Sequence, residues 1–360
     1  MRSILVRGGQ PLTGEVRVEG AKNSALKLIA AALMAPGASR IRNVPDIADV
    51  SLMAEVVAGL GARVTREDHS IVVDASHVDR VEAPYEMVSR MRASTAVLGP
   101  LLARFGEARV AMPGGCAIGS RSIDMHIAGL EQLGAAITVE HGVIVARAER
   151  LTGAAVTLEF PSVGATENLL MAAVLAEGET VIDNAAREPE ISDLAAFLRA
   201  MGADIAGEGT PEIRVRGVSE LHAADDHAVV GDRIEAGTFL AAGALCGGPV
   251  TVTGFDPHHL EIVLAKMRAA GVSVEQGERS VTVSVSGRLA PVDVQTLPFP
   301  GFPTDMQAQF MTMMALADGT SVVTENVFEN RFQFAGELVR MGADVHIEGH
   351  HALVRGVHAL

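Results

Sequence analysis

Aromatic residues are scarce in this sequence: of its 360 residues, 11 are Phe, one is Tyr and none is Trp. Proteins that bind nucleic acids use aromatic side chains to stack bases and basic side chains to neutralise phosphates. Here the aromatic fraction is only 3% and the net charge is −15. These shortages argue against a nucleic-acid partner, and they require a local basic cluster wherever an anionic substrate binds.

Cysteines and long apolar runs are also few. Cys116 and Cys246 do not make a disulfide framework, which indicates a reducing compartment. The N-terminus has no long apolar region and therefore no signal peptide. The longest apolar stretch, near 25–36, carries Lys27 and is far shorter than the roughly 20 residues of a membrane span. We therefore expect a cytoplasmic protein with no membrane association.

Glycine, by contrast, is abundant, with 37 residues, and some of these glycines mark an internal repeat. One glycine opens a β-branched segment, and a second one, suited to a helix C-cap, follows an amphipathic segment. The five pairs are Gly37 and Gly61, Gly106 and Gly134, Gly178 and Gly202, Gly247 and Gly271, and Gly319 and Gly342. An apolar segment precedes each pair, and two short β-type segments follow it. This pattern predicts a two-domain α/β fold of repeated βαβαββ units that pack against each other.

The second repeat is longer than the others. Its two glycines are 28 residues apart, against 23 or 24 in the other four, and the extra residues fall within 112–121. Repeat scaffolds accept insertions in loops on one face, which is often the functional face. The inserted loop carries Cys116 among glycines and ends at Arg121, so it is a candidate reactive site. Cys246, which ends an apolar segment, is expected to be buried and inert.

The predicted starts of the five apolar helices carry polar or charged residues in most repeats. These positions are Lys22-Asn23, Met91-Arg92, Val163-Gly164, Asp232-Arg233 and Thr304-Asp305. A helix N-terminus has free N–H groups and the positive end of the dipole, so it suits a phosphate or a carboxylate. Asp232 and Thr304 are also ordinary N-cap residues. Lys22 and Arg92 are cations at an unfavourable helix end, so we expect each to meet an anion.

Eight segments in order along the chain resemble the UDP-N-acetylglucosamine 1-carboxyvinyltransferases, a family of enolpyruvyl transferases. They are 20–26, 91–94, 113–121, 162–168, 184–191, 232–239, 302–309 and 327–332. The related 5-enolpyruvylshikimate-3-phosphate synthases share the architecture but lack the Gly-Gly-Cys loop. The resemblance implies an inside-out α/β barrel in two domains, each a ring of three units. Residues 22–230 would form one domain, and 1–21 with 231–360 the other.

The resemblance also implies a reaction and roles for individual residues. Enolpyruvyl would pass from phosphoenolpyruvate to the 3-hydroxyl of UDP-N-acetylglucosamine with release of phosphate, the first committed step of peptidoglycan synthesis. Cys116 would donate a proton and form an adduct with phosphoenolpyruvate, Lys22 would contact phosphoenolpyruvate, and Asp305 would accept the sugar hydroxyl's proton or hydrogen bond. The implied substrate-binding residues are Lys22, Asn23, Arg92, Arg121, Ser122, Ile123, Asp124, Met125, Ser162, Val163, Asp305 and Val327. At Ser122 the chain departs from the family, which usually has proline there. His126 either polarises the surroundings of Cys116 or is a satisfied structural histidine.

The sequence predicts no metal and no cofactor. No His, Cys and Asp residues have metal-ligand spacing, and no glycine-rich nucleotide-binding motif follows a predicted strand. The expected partners are the two small-molecule substrates, and the sequence does not assign an oligomeric state.

The family has six units, whereas this chain shows five. The sequence stops after the closing strands of the fifth unit, which we interpret as a truncated gene product or fragment rather than a natural five-unit variant. Two alternatives to the full activity stay open. One is an inactive or binding-only paralogue, and the other is an enolpyruvyl transferase with another acceptor.

Overall fold

The structure is a computed structural model, and it describes residues 4–83, 85–88, 91–112 and 123–360. The chain forms two compact units. We call Glu19–Gly231 the N-terminal unit, and Met1–Val18 with Asp232–Leu360 the C-terminal unit. The C-terminal unit thus contains the first strand of the chain.

The described residues contain 19 strands. They are β1 (Gly14–Arg17), β2 (Ala38–Arg42), β3 (Arg63–Glu67), β4 (Ser70–Asp74), β5 (Glu107–Ala111), β6 (Ala136–Glu140), β7 (Val143–Arg147), β8 (Ala155–Thr157), β9 (Glu179–Asp183), β10 (Asp204–Ala206), β11 (Glu212–Arg216), β12 (His227–Ala228), β13 (Val250–Thr253), β14 (Ser273–Gln276), β15 (Ser280–Ser284), β16 (Val294–Gln295), β17 (Thr320–Thr324), β18 (Asp344–Glu348) and β19 (His351–Arg355).

Eleven α-helices lie in the same described ranges. They are α1 (Lys22–Ala31), α2 (Ala48–Gly59), α3 (Tyr85–Val88), α4 (Leu98–Phe105), α5 (Asp124–Gln132), α6 (Val163–Ala173), α7 (Pro189–Ala200), α8 (Arg233–Cys246), α9 (Glu261–Ala269), α10 (Gln307–Met314) and α11 (Ala335–Arg340). Short 3₁₀ helices cover Ala32–Met34, Arg92–Val97, Pro257–Leu260, Thr304–Met306 and Arg331–Phe334.

The described strands form five sheets with one shared topology, which is what the sequence repeat predicts. The sheets have the orders β12-β2-β4-β3, β5-β7-β6, β8-β9-β11-β10, β1-β13-β15-β14 and β16-β17-β19-β18. In the four-stranded sheets the first pair is parallel and the other two pairs are antiparallel. In the three-stranded sheet, a parallel bridge from Glu82 to Arg109 stands in the place of the first strand. The repeated βαβαββ unit is therefore confirmed.

The apolar helix at the start of each repeat lies in the core. Seven of the ten residues of α1 and nine of the eleven of α6 are buried. In the C-terminal unit, α8 packs against α10, whose buried side chains include Phe310 and three methionines. Helices that are apolar on most of their surface need a covering on every side. Each unit accordingly has its own hydrophobic core around these helices.

Residues from the two ends of the N-terminal unit meet in one sheet. Strand β12 pairs in parallel with β2, and the N–H of Ala224 donates to Oγ of Ser39 across 185 residues. The partly buried carboxylate of Asp193, on α7, fixes this arrangement. It accepts hydrogen bonds from the Ser24 hydroxyl at 2.5 Å and from the Val230 N–H at 3.1 Å, and it contacts Nε2 of His227 at 2.8 Å.

Two expectations about the helices of the C-terminal unit need correction. Cys246 is exposed rather than buried, because it is the last residue of α8 and Gly247 ends that helix in the left-handed conformation. Thr304 does not cap a helix: Pro303 occupies the N-cap position, and the Thr304 hydroxyl donates to Glu325. Asp232 is an N-cap, since its carboxylate accepts from the N–H groups of Ile234 and Glu235.

Candidate functional site

Lys22 is the first residue of α1, and it meets an anion as expected. Its ammonium lies 3.2 Å from a carboxylate oxygen of Asp49, which is in the first turn of α2. The two side chains are 46% and 43% exposed. Asn23 beside it is also exposed. An ion pair this accessible to water contributes little to stability.

Ile123, Asp124 and Met125 lie at the start of α5, and Ser162 and Val163 lie at the start of α6. Ile123 is the N-cap residue of α5, and the Ser162 hydroxyl caps α6 by accepting from the Ala165 N–H. Helices α5 and α6 pack against each other. Their N-terminal residues come together where the His126 ring faces Gly164, since a Cβ at Gly164 would lie 3.1 Å from the ring. The structure therefore brings together two helix N-termini that can bind anionic groups.

His126 is a buried, neutral histidine. Burial first, and then the charges of Arg92 and Lys27, lower its pKa from 6.5 to about 4. Asn168 sets the tautomer: its Oδ1 accepts from the Gly99 N–H at 2.8 Å, so its Nδ2 must donate to Nδ1 of His126 at 3.0 Å. In a neutral ring with Nδ1 as acceptor, the proton lies on Nε2. Of the two interpretations left open, the structural histidine fits these bonds.

Arg92 begins the 3₁₀ helix that leads into α4, and its backbone carbonyl accepts from the Thr95 hydroxyl. Its positive charge contributes to the lowered pKa of His126, on α5. Lys22, Arg92, residues 123–125 and residues 162–163 are all at helix starts in one unit. Cys116, Arg121 and Ser122 lie outside the described residues.

Sequence reasoning missed a buried ion pair in the same unit. The Lys27 ammonium lies 2.5 Å from Oε2 of Glu167, and their side chains are only 12% and 1% exposed. Burial raises the pKa of Glu167, the charge of Lys27 opposes this, and Glu190 and Glu188 raise it further. The available signal was a charged residue among apolar neighbours in each helix: Lys27 in α1 and Glu167 in α6. The distance of 140 residues between them gave no reason to pair them.

In the C-terminal unit, Asp305 lies within the 3₁₀ helix Thr304–Met306, and Arg331 begins another. The Arg331 guanidinium donates through Nη2 to Oδ1 of Asp305 at 2.5 Å. It also lies over the ring of Phe328, with its carbon 5.5 Å from the ring centre. Asp305 is 40% exposed and Arg331 19%. The Arg331 guanidinium thus fixes the orientation of the Asp305 carboxylate, which stays partly accessible to water.

Val327 belongs to a turn that a buried acid organises. Its N–H donates to Oε1 of Glu325 at 2.8 Å, and the N–H of Phe328 donates to the same atom at 3.0 Å. Glu325 also accepts from the hydroxyl of Thr304, the residue before Asp305. The structure therefore connects Val327 and Asp305 through Glu325, a residue that the sequence analysis did not single out.

The part of the chain that the structure describes contains no group of three or more His, Cys, Asp and Glu residues that could hold a metal ion. None of the described helices is long and apolar enough to cross a membrane.

Comparison with known proteins gives concordant results. The sequence model of the EPSP synthase (3-phosphoshikimate 1-carboxyvinyltransferase) family matches residues 6–359. A UDP-N-acetylglucosamine 1-carboxyvinyltransferase of Corynebacterium efficiens is 52% identical over 357 residues, which are 99% of this chain and 85% of that protein. The enzyme of the same name from Mycobacterium tuberculosis is 54% identical over 354 residues, 98% of this chain and 84% of that protein.

The solved structures lead to the same family. The enolpyruvyl transferase NikO from Streptomyces tendae is 28% identical and has a TM-score of 0.86, covering 97% of this chain and 83% of its own. The EPSP synthase from Acinetobacter baumannii has a TM-score of 0.72 at 19% identity with the same coverage, which shows a shared fold. With the repeated βαβαββ units and the near full-length match, the chain belongs to the EPSP synthase family of enolpyruvyl transferases, and its curated relatives within that family are UDP-N-acetylglucosamine 1-carboxyvinyltransferases.

Proposed function

We propose that this enzyme transfers the enolpyruvyl group of phosphoenolpyruvate to the 3-hydroxyl of UDP-N-acetylglucosamine and releases phosphate. The observation that carries the proposal is the identity of 52% with a relative of that name across 99% of the chain. The reaction opens peptidoglycan synthesis, and its soluble, charged substrates are consistent with a cytoplasmic location. The division into domains 22–230 and 1–21 with 231–360 is also a proposal, supported by the two compact units of the fold.

The chemistry needs an acid, a base and cations. In the proposed reaction the sugar oxygen bonds to C2 of phosphoenolpyruvate, and the methylene carbon of phosphoenolpyruvate takes a proton. The C2–phosphate bond then breaks, and loss of a proton from the methyl group restores the double bond. Cys116 is the proposed proton donor, because an ordinary thiol is mostly protonated at neutral pH. Asp305 is the proposed acceptor of the hydroxyl proton, supported by the ion pair that orients it.

The anionic parts of both substrates call for positive partners. Lys22 is the proposed partner of phosphoenolpyruvate, supported by its accessible position at the start of α1. Arg92 and Arg121 are the proposed guanidinium partners of the substrate anions, since arginine donates two parallel hydrogen bonds to a phosphate or carboxylate. Asn23, Ser122, Ile123, Asp124, Met125, Ser162, Val163 and Val327 complete the proposed substrate contacts. The adjacent starts of α5 and α6 support the nucleotide part of this set.

Release of phosphate from phosphoenolpyruvate tests the function directly. We expect release that depends on UDP-N-acetylglucosamine, and a loss on the order of 100-fold in Cys116→Ser, because a serine hydroxyl is a much weaker acid. Cys246→Ser is the matched control, since this exposed thiol ends a helix, and it should keep full activity. Equal activity of the Cys116→Ser and Cys246→Ser enzymes would contradict the role of Cys116.

A second candidate function is transfer to another acceptor. It is favoured by the similarity to NikO, which is described as an enolpyruvyl transferase, and by the family's other activity on 3-phosphoshikimate. The same assay with shikimate 3-phosphate distinguishes the two candidates. Release with that acceptor alone would reject UDP-N-acetylglucosamine. Binding of the sugar nucleotide without release of phosphate would indicate a binding protein.

A further inference from the structure

Glu325 is a buried acid that the proposed reaction does not use. It is 2% exposed, and its carboxylate accepts five hydrogen bonds from described residues. Oε1 accepts from the Thr296 hydroxyl and from the backbone N–H groups of Val327 and Phe328. Oε2 accepts from the hydroxyl of Thr304 and from the side-chain amide of Gln307, at 2.9 and 2.8 Å. Such a carboxylate is acceptor-only, so this set of donors matches its charged form.

Four of the five donors come from the segments that carry the candidate groups of the C-terminal unit. Thr304 and Gln307 lie on either side of Asp305, at the junction of its 3₁₀ helix with α10. Val327 and Phe328 form the turn that leads to Arg331. Thr296 strengthens the connection, because its hydroxyl oxygen also accepts from the N–H of Asn326. Glu325 therefore connects the two segments whose side chains form the Asp305–Arg331 ion pair.

These contacts form a closed circuit of residues: Glu325, Thr304, Asp305, Arg331 and Phe328. Glu325 holds Thr304, the residue before Asp305; Asp305 pairs with Arg331; and Arg331 lies over the ring of Phe328. The N–H of Phe328 then returns to Glu325. A shift of Glu325 would move both partners of the ion pair. Groups held on two sides in this way keep the narrow geometry that catalysis requires.

We propose that Glu325 is a positioning residue, which holds the Asp305 carboxylate and the Val327 turn in the geometry that the sugar nucleotide requires. The inference rests on the proposed function, because the role of Glu325 is to position Asp305, the proposed base. A residue that only stabilised the fold would not change turnover through Asp305, whereas Glu325 should do so.

Thr304→Val isolates one link of the circuit. The variant removes the hydroxyl that Glu325 holds and keeps the shape of the side chain. We expect kcat to fall on the order of 10-fold, because small displacements of a reacting group are costly, while the Kd for UDP-N-acetylglucosamine stays within about twofold. Thr312→Val is the matched control on α10, since the Thr312 hydroxyl donates to the Ala308 carbonyl within its own helix. It should leave kcat unchanged.

A double-mutant cycle separates positioning from simple stability. In an Asp305→Asn background, Thr304→Val should have little further effect on kcat if it acts through Asp305. A fully additive effect would overturn the proposal, and so would a Thr304→Val enzyme with the kcat of the wild type.

Glu325→Gln tests the carboxylate itself. Gln307 can turn its amide so that Oε1, which is buried without a partner among the described residues, accepts from the new amide group. The variant should therefore fold, with a melting temperature near that of wild type, while kcat falls and KM for the sugar nucleotide rises because the Val327 turn loosens. A Glu325→Gln enzyme that melts like wild type and keeps both constants would also contradict the proposal.

A spectroscopic measurement keeps this inference separate from the proposed function. The ¹⁵N signal of the Arg331 guanidinium reports its pairing with Asp305 and needs no turnover. We expect it to shift in Thr304→Val and Glu325→Gln but not in Thr312→Val. A wild-type protein that releases no phosphate would refute the proposed function, whereas unchanged Arg331 signals in both variants would refute the positioning role.

Discussion

The Lys27 ammonium on α1 and the Glu167 carboxylate on α6 form an ion pair inside the N-terminal unit. Both charges are largely removed from water, since the Lys27 and Glu167 side chains are 12% and 1% exposed. Breaking one side of a buried pair leaves the other charge uncompensated, which costs about 3–5 kcal/mol. The pair therefore connects α1 to α6 across 140 residues of sequence, and this connection is sensitive to single substitutions.

Lys27→Met should lower the free energy of unfolding by about 3 kcal/mol. The loss should be larger at about pH 8 than at about pH 5, because burial raises the pKa of Glu167 and the isolated acid can protonate at the lower pH. Urea unfolding at the two pH values measures both effects. The double variant Lys27→Met/Glu167→Leu should recover much of the stability, and failure to do so would contradict this account.

His126 should make the protein less stable in mild acid. Its pKa is lowered to about 4 in the folded state, against 6.5 in the unfolded chain, so the unfolded state binds more protons between these values. The free energy of unfolding is therefore unaffected by His126 above about pH 7 and falls as the pH drops towards 4. The loss is about 2 kcal/mol at pH 5. Urea unfolding of the wild type and of His126→Gln across this range gives the test. Parallel pH profiles for the two proteins would show that another group is responsible.

Asp305→Asn should lower kcat by about 100-fold or more, because a positioned general base contributes on that scale. KM for the sugar nucleotide should change much less, since the amide keeps the shape of the side chain and one acceptor oxygen. Initial rates of phosphate release give both constants. Asp318→Asn is the control in the same unit, since Asp318 is 77% exposed and pairs with Arg288. Equal rates for the two variants would exclude Asp305 as the base.

Lys22→Met should raise KM for phosphoenolpyruvate by about 10- to 100-fold, the effect of losing a hydrogen bond to a charged group. Asp49→Asn should leave the free energy of unfolding within about 0.5 kcal/mol of wild type, because the pair is exposed. Lys266→Met is a suitable control, since the Lys266 ammonium donates to the backbone carbonyl of Asp293. If Lys22→Met kept the wild-type KM, phosphoenolpyruvate would have to bind elsewhere.

Local patterns predicted much of the fold. The strand over 250–253 and the strand beginning at Ser280 follow from alternating β-branched residues, and both are present. Helices α1 and α6 begin at Lys22 and Val163, within the positions predicted for their starts. Helix α10 begins later than predicted, at Gln307, because the 3₁₀ helix Thr304–Met306 precedes it.

Contacts between distant residues were the part that could not be predicted. Thr304 is a good N-cap by composition, yet its hydroxyl binds Glu325, which lies 21 residues further along the chain. Nothing in the spacing of Lys27 and Glu167, or of Asp193 and His227, indicated that each pair would meet. Cys246 was misjudged for the same reason, since an apolar neighbourhood in sequence does not determine which side of a helix end faces water.

The pairing of β12 with β2 also affects how the protein is made. A ribosome releases β2 long before β12, because the two lie almost the whole N-terminal unit apart. Until residues 227–228 emerge, one edge of the first sheet has no neighbour, and an open edge can pair with other chains. Contacts over such long separations also form slowly. The nascent chain therefore passes through a stage in which its first repeat has been synthesised but its sheet still lacks β12. Chaperones that shield strand edges should act at that stage.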